Sequence, residues 1–72
     1  MEYLIKILNP TEEDKKNNNI YIKIFEDFGL FTITSIENAT RFKTEKDLFK
    51  VALGIEANTN LKWELIKELI KE

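Results

Sequence analysis

The stretch Ile20-Tyr21-Ile22-Lys23-Ile24-Phe25-Glu26-Asp27-Phe28-Gly29-Leu30-Phe31-Thr32-Ile33-Thr34-Ser35-Ile36 decides the fold. Ile20, Ile22 and Ile24 fall on one side of an extended chain, and Tyr21, Lys23 and Phe25 fall on the other. After Gly29 the alternation resumes, with Phe31 and Ile33 on one face and Thr32 and Thr34 on the other. Two strands are therefore expected, over about 20–25 and 30–36. Glu26-Asp27-Phe28-Gly29 joins them, and Gly29 supplies the positive φ that such a connection uses. Four residues cannot carry a crossover, so the pair is antiparallel.

Working towards the N-terminus, residues 9–19 read Asn-Pro-Thr-Glu-Glu-Asp-Lys-Lys-Asn-Asn-Asn. This is a polar loop, in which the acids after Thr11 allow a single helical turn. Before it, Tyr3-Leu4-Ile5-Lys6-Ile7-Leu8 is short, apolar and ended by Asn9-Pro10, which predicts a strand over about 3–8. Its Lys6 excludes the apolar run of a signal peptide.

Towards the C-terminus the apolar period changes from 2 to 3.6. Thr44-Glu45-Lys46-Asp47 reads as a helix cap with an acid at the third position. Leu48, Val51, Ala52 and Ile55 then form a helical stripe, and Gly54 suits a stop, which gives a helix over about 44–54. Asn58-Thr59-Asn60 reads as a second cap. Leu61, Leu65, Ile66, Leu69 and Ile70 predict a second helix over about 60–71, with Glu64–Lys67 and Glu68–Lys71 as favourable pairs. The expectation is a single α+β domain over 1–72, ordered β-β-β-α-α. Its three-stranded antiparallel sheet carries two C-terminal helices on one face.

Composition narrows the chemistry. The chain has 72 residues, 43% of them hydrophobic, with no Cys and no His. There is no disulfide framework, thiol nucleophile or thiolate metal site, and the side chain most used for acid–base work near neutral pH is missing. Ordering each residue costs about 1.5 kcal/mol, so nearly every large apolar side chain must be buried, and a dimer sharing a face would add to the core. The net charge of −2 selects no partner by its field. No apolar run approaches the ~20 residues of a membrane span, and a cytoplasmic protein is expected. Ten Ile against one Val, and ten Lys against one Arg, point to an AT-rich genome.

Residues 29–48 carry a Gly, an apolar and Thr-rich strand, Ala39-Thr40-Arg41-Phe42, and Thr44-Glu45-Lys46-Asp47-Leu48 opening a helix. This resembles the strand, Ala-x-x-Phe turn and capped helix of small proteins from phages and mobile elements of low-GC bacteria. Some proteins of that kind inhibit host defence systems, including anti-CRISPR proteins. The resemblance implies a phage-type accessory protein acting on a host enzyme or defence complex.

Several residues stand out against their ordinary roles. Phe28 is apolar in a connection where polar residues dominate, and Trp63 lies to one side of the Leu61–Leu65–Leu69 line. Either could belong to the core or anchor a partner. Arg41, Lys43, Lys46 and Lys50 are the basic set a nucleic acid would meet, interrupted by Glu45 and Asp47. Glu12-Glu13-Asp14 is followed at once by Lys15-Lys16 and reads as solvated. Asn38-Ala39-Thr40 matches a glycosylation sequon, by chance in a cytoplasmic protein. The open edges of a small sheet invite strand addition, and strand 1 carries only Lys6 as a guard. The expected function is a non-enzymatic protein-binding module without a cofactor, using an edge strand, Phe28 or Trp63. The alternatives are a small nucleic-acid-binding or regulatory protein, and a homo-oligomer joined through an edge strand or helix face.

Overall fold

Six opposed residue pairs join the first strand of the sheet to the last. The computed structural model describes residues 1–25 and 30–68. In it, β1 (Glu2–Ile7) pairs antiparallel with β4 (Trp63–Glu68), from Glu2 opposite Glu68 to Ile7 opposite Trp63. Between them lie α1 (Glu12–Lys16), β2 (Tyr21–Ile24), β3 (Phe31–Thr34), a 3-10 turn (Ile36–Asn38) and α2 (Glu45–Asn58). The sheet has four strands in the order β3-β2-β1-β4, and every neighbouring pair is antiparallel.

The expected α+β class and antiparallel sheet are present, but two details change. The segment read as a second helix over 60–71 is strand β4 over its described part. The spacing of Leu61, Leu65 and Ile66 suits a helix, yet Trp63 and Leu65 also alternate with Glu64 and Ile66. A tertiary fact breaks the tie: β1 has an open side, and β4 satisfies its backbone along the full strand. Asn9 fixes the start of this ladder, its side-chain amide donating to the Asn60 carbonyl (3.0 Å) and accepting from the Lys62 N–H (2.7 Å). Strand 1 is consequently interior. Its Lys6 guards no edge and instead faces Glu64 across the ladder at 3.8 Å.

The remaining helix is longer than the 44–54 expected. Thr44 caps its start, accepting from the Asp47 N–H at 3.2 Å. Gly54 does not stop it, because Ile55 in the next turn is buried in the core. The end comes at Asn58 and Thr59, whose side chains donate to the carbonyls of Gly54 (2.8 Å) and Ile55 (2.7 Å). Asn58 and Thr59 thus close α2 rather than open another helix. The short turn after Thr11 is present as α1, with the Thr11 hydroxyl accepting from the Asp14 N–H at 3.1 Å. Asn18 then adopts a positive φ of 62°, which Asn tolerates better than most residues.

The core sits between α2 and one face of the sheet. Ile5, Ile7 and Ile22 meet Leu48, Ala52 and Ile55, with Ile24, Phe31, Ile33, Trp63 and Leu65 packed around them. Leu4, on the opposite face of β1 from Ile5, is also fully buried, and Ala39 is buried as well.

The sheet is forked. β1 and β2 are in register at Lys6 and Tyr21, and beyond that point residues 40–42 lie between them. The Thr40 N–H donates to the Ile22 carbonyl (3.0 Å), and Phe42 exchanges two hydrogen bonds with Tyr3 (2.8 and 2.9 Å). The Thr40 hydroxyl accepts from the Ile24 N–H at 2.7 Å. The chain therefore crosses β2 after leaving β3, enters the fork and continues into α2.

Candidate docking edge and groove

β3 is one border of the sheet, and its sequence Phe31-Thr32-Ile33-Thr34 contains no charge. The Phe25 N–H donates to the Leu30 carbonyl at 2.9 Å, which sets the phase of the ladder. Leu30, Thr32 and Thr34 turn their backbone groups towards β2, so Phe31 and Ile33 turn theirs outward. The side chains of Phe31 and Ile33 lie on the α2 side of the sheet, packed against the core.

Beside this edge α2 leaves an open groove of about 400 Å³. Ile24 and Phe31 of the sheet line it, with Lys50, Val51, Gly54, Ile55 and Asn58 of α2. Lys50 is the one charged residue of this lining. At Gly54, a Cβ would meet nothing within 4 Å. A glycine in a helix interior costs about 1 kcal/mol relative to alanine, so this position is occupied at the expense of stability. At the hairpin end Phe25 and Leu30 are exposed, 45% and 59%, and the Lys23 ammonium stands 5.6 Å from the centre of the Phe25 ring.

Trp63 lies in β4, at the opposite border. It is half-buried against the core, its indole N–H donates to Glu56 at 3.2 Å, and its ring meets Phe49 edge-on with centroids 5.6 Å apart. Phe49 and Leu53 on the same flank of α2 are 41% and 58% exposed. Phe28 lies outside the described residues.

The basic set is spread over three environments. Arg41 is half-buried in the fork segment. Lys43 precedes the Thr44 cap, so only Lys46 and Lys50 share the helix. Lys46 stands between Glu45 and Asp47 in the first turn, and Lys50 borders the groove. Among the acids of the described residues, Glu37 alone shows a resolved shift. A hydrogen bond from its own backbone and one from Ser35 hold its carboxyl below the ordinary carboxylate range. Among the described residues, no cluster of three or more acidic side chains could hold a metal ion, and no helix is long and apolar enough to cross a membrane.

The uncharged composition of β3 was visible in the sequence, but its place at the border and the groove beside it were not. The border follows from β3 pairing with β2 alone, and the groove follows from how α2 lies over Ile24 and Phe31. No protein-family model, no curated protein and no solved structure matches the chain.

Proposed function

We propose that the chain is a non-enzymatic protein-binding module that accepts an extended segment of another protein along β3. The observation that carries this reading is the conjunction of an uncharged border strand with a mostly apolar groove that opens beside its first residue, Phe31. Strand addition draws its affinity from main-chain hydrogen bonds and its specificity from pockets for alternate side chains. Here the outward backbone groups of Phe31 and Ile33 supply the first. The groove supplies the second, since residues opposite Phe31 and Ile33 would lean towards α2. Lys50 favours a segment with an acidic side chain next to its apolar ones, and Gly54 leaves room for close approach. A protein that blocks a larger enzyme or defence complex by covering one of its extended segments would need no more than this.

The test is selection of peptides from a displayed random library on the immobilised chain, followed by amide chemical-shift mapping with the recovered peptides. The expected ligands alternate apolar residues and include an acid. Their shifts concentrate on residues 30–35 and 50–58, and Gly54→Leu, which fills the groove, weakens binding about tenfold or more. Shifts centred on another surface, or undiminished binding to Gly54→Leu, would overturn the proposal.

A further inference from the structure

We infer that a second copy of this chain pairs with β4, joining two sheets into one continuous sheet about a two-fold axis at Leu65. This goes beyond the β3 reading and leaves β3 free in both copies. The even-numbered residues of β4 bond to β1, as the Leu8 N–H to Lys62 carbonyl bond (2.7 Å) shows for the residue just before the strand. Trp63, Leu65 and Lys67 therefore turn their backbone groups outward. The charges along this border choose the register. An antiparallel pair centred on Leu65 sets Trp63 of each copy opposite Lys67 of the other, and Glu64 opposite Ile66. Centring on Glu64 opposes two Glu64 residues, and centring on Ile66 opposes Glu64 to Glu68 twice. Like charges directly opposite are unfavourable, so Leu65 is the centre that avoids them over the full strand.

The helical layer agrees. α2 packs over β1, and in the joined sheet the two β1 strands are three strand spacings apart, about 14 Å. Packed helices approach to about 8–10 Å, so a gap of about 5 Å remains for side chains to fill. The flank of α2 facing that gap carries Phe49 and Leu53, the exposed apolar pair next to Trp63. Each copy supplies the same three large side chains, which makes the patch self-complementary, as a two-fold interface requires.

The experiment is sedimentation equilibrium of the full chain from the micromolar to the sub-millimolar range, with three variants. The chain contains no cysteine, so Leu65→Cys introduces one thiol per copy, and paired Cα atoms about 5.5 Å apart allow a disulfide across the axis. The expected results are a reversible dimer and oxidative cross-linking of Leu65→Cys but not of Thr32→Cys in β3. Leu53→Glu, on an exposed helix position, should stay folded by circular dichroism and raise the dimer dissociation constant about tenfold or more. A monomer throughout the range, a dimer indifferent to Leu53→Glu, or cross-linking through Thr32→Cys instead of Leu65→Cys would overturn the inference.

Discussion

The two borders of the sheet are built on different terms. β3 is four residues long, uncharged, and flanked by a groove that α2 does not fill. β4 is six residues long and carries charge at Glu64, Lys67 and Glu68. It is flanked by Phe49 and Trp63 in edge-to-face contact. A border strand with charges in fixed places restricts which strand can join it and in which register. A neutral border with an open groove leaves register to the side chains of the incoming segment. The first suits one repeated partner, and the second suits a segment recognised by its own alternation.

That contrast can be broken from the centre outward. Ile22 is fully buried in β2, next to the β3 border. Ile22→Ala should lower stability by about 2–4 kcal/mol, read from the denaturant midpoint, because a buried methyl-rich side chain leaves a cavity. A smaller loss with retained cooperativity would mean that the groove side of the core collapses easily. Thr40→Val is more selective. It removes the acceptor of the part-buried Ile24 N–H and should cost about 1–3 kcal/mol. Amide exchange should quicken in β2 and β3 and change little in β4. Equal acceleration at both borders would show that the fork couples them.

Gly54→Ala should act in the opposite direction. The helix gains about 0.5–1 kcal/mol, and the added methyl group meets nothing. Thermal unfolding checks this, and a loss of stability would place an unseen constraint at the groove wall. The smallest effect belongs to Glu37, just beyond β3. Its carboxyl is held low by hydrogen bonds to the charged form. Its contribution to stability is present above the ordinary carboxylate value and is lost as pH falls through the lowered one. A carboxyl titration by NMR should show its midpoint below the ordinary glutamate value, and Ser35→Ala should raise it.

The period-2 stretches were legible wherever one face is buried and the other is wet. Ile22 and Ile24 against Lys23, and Ile33 against Thr32 and Thr34, placed β2 and β3 to within two residues. Thr44 and Leu48 to Ala52 placed the start of α2 equally well. The end of α2 was not legible, because the burial of Ile55 outweighs the helix-breaking tendency of Gly54. Residues 63–68 were misread for a related reason. Their apolar spacing fits both periods, and the choice depends on a strand nearly sixty residues away, which no local pattern contains. The far border was lost with it, whereas the outward groups of β3 are set by its pairing with β2. Trp63 was noticed as an aromatic outside the main stripe, but its bond to Glu56 joins residues seven apart through a turn that a helical reading cannot form.

The fork has a kinetic side. β1 and β2 are close in sequence, yet they cannot close along their length on their own, because residues 40–42 occupy the gap between them. The strand that completes β1 on its other side comes from residues 63–68. The quick, local step available to the chain is therefore the β2–β3 hairpin, while β1 must wait for two distant segments. Loop closure of that reach is slow compared with the hairpin. The transition state for folding is thus expected to be polarised, with β2 and β3 formed and β1 still seeking its neighbours.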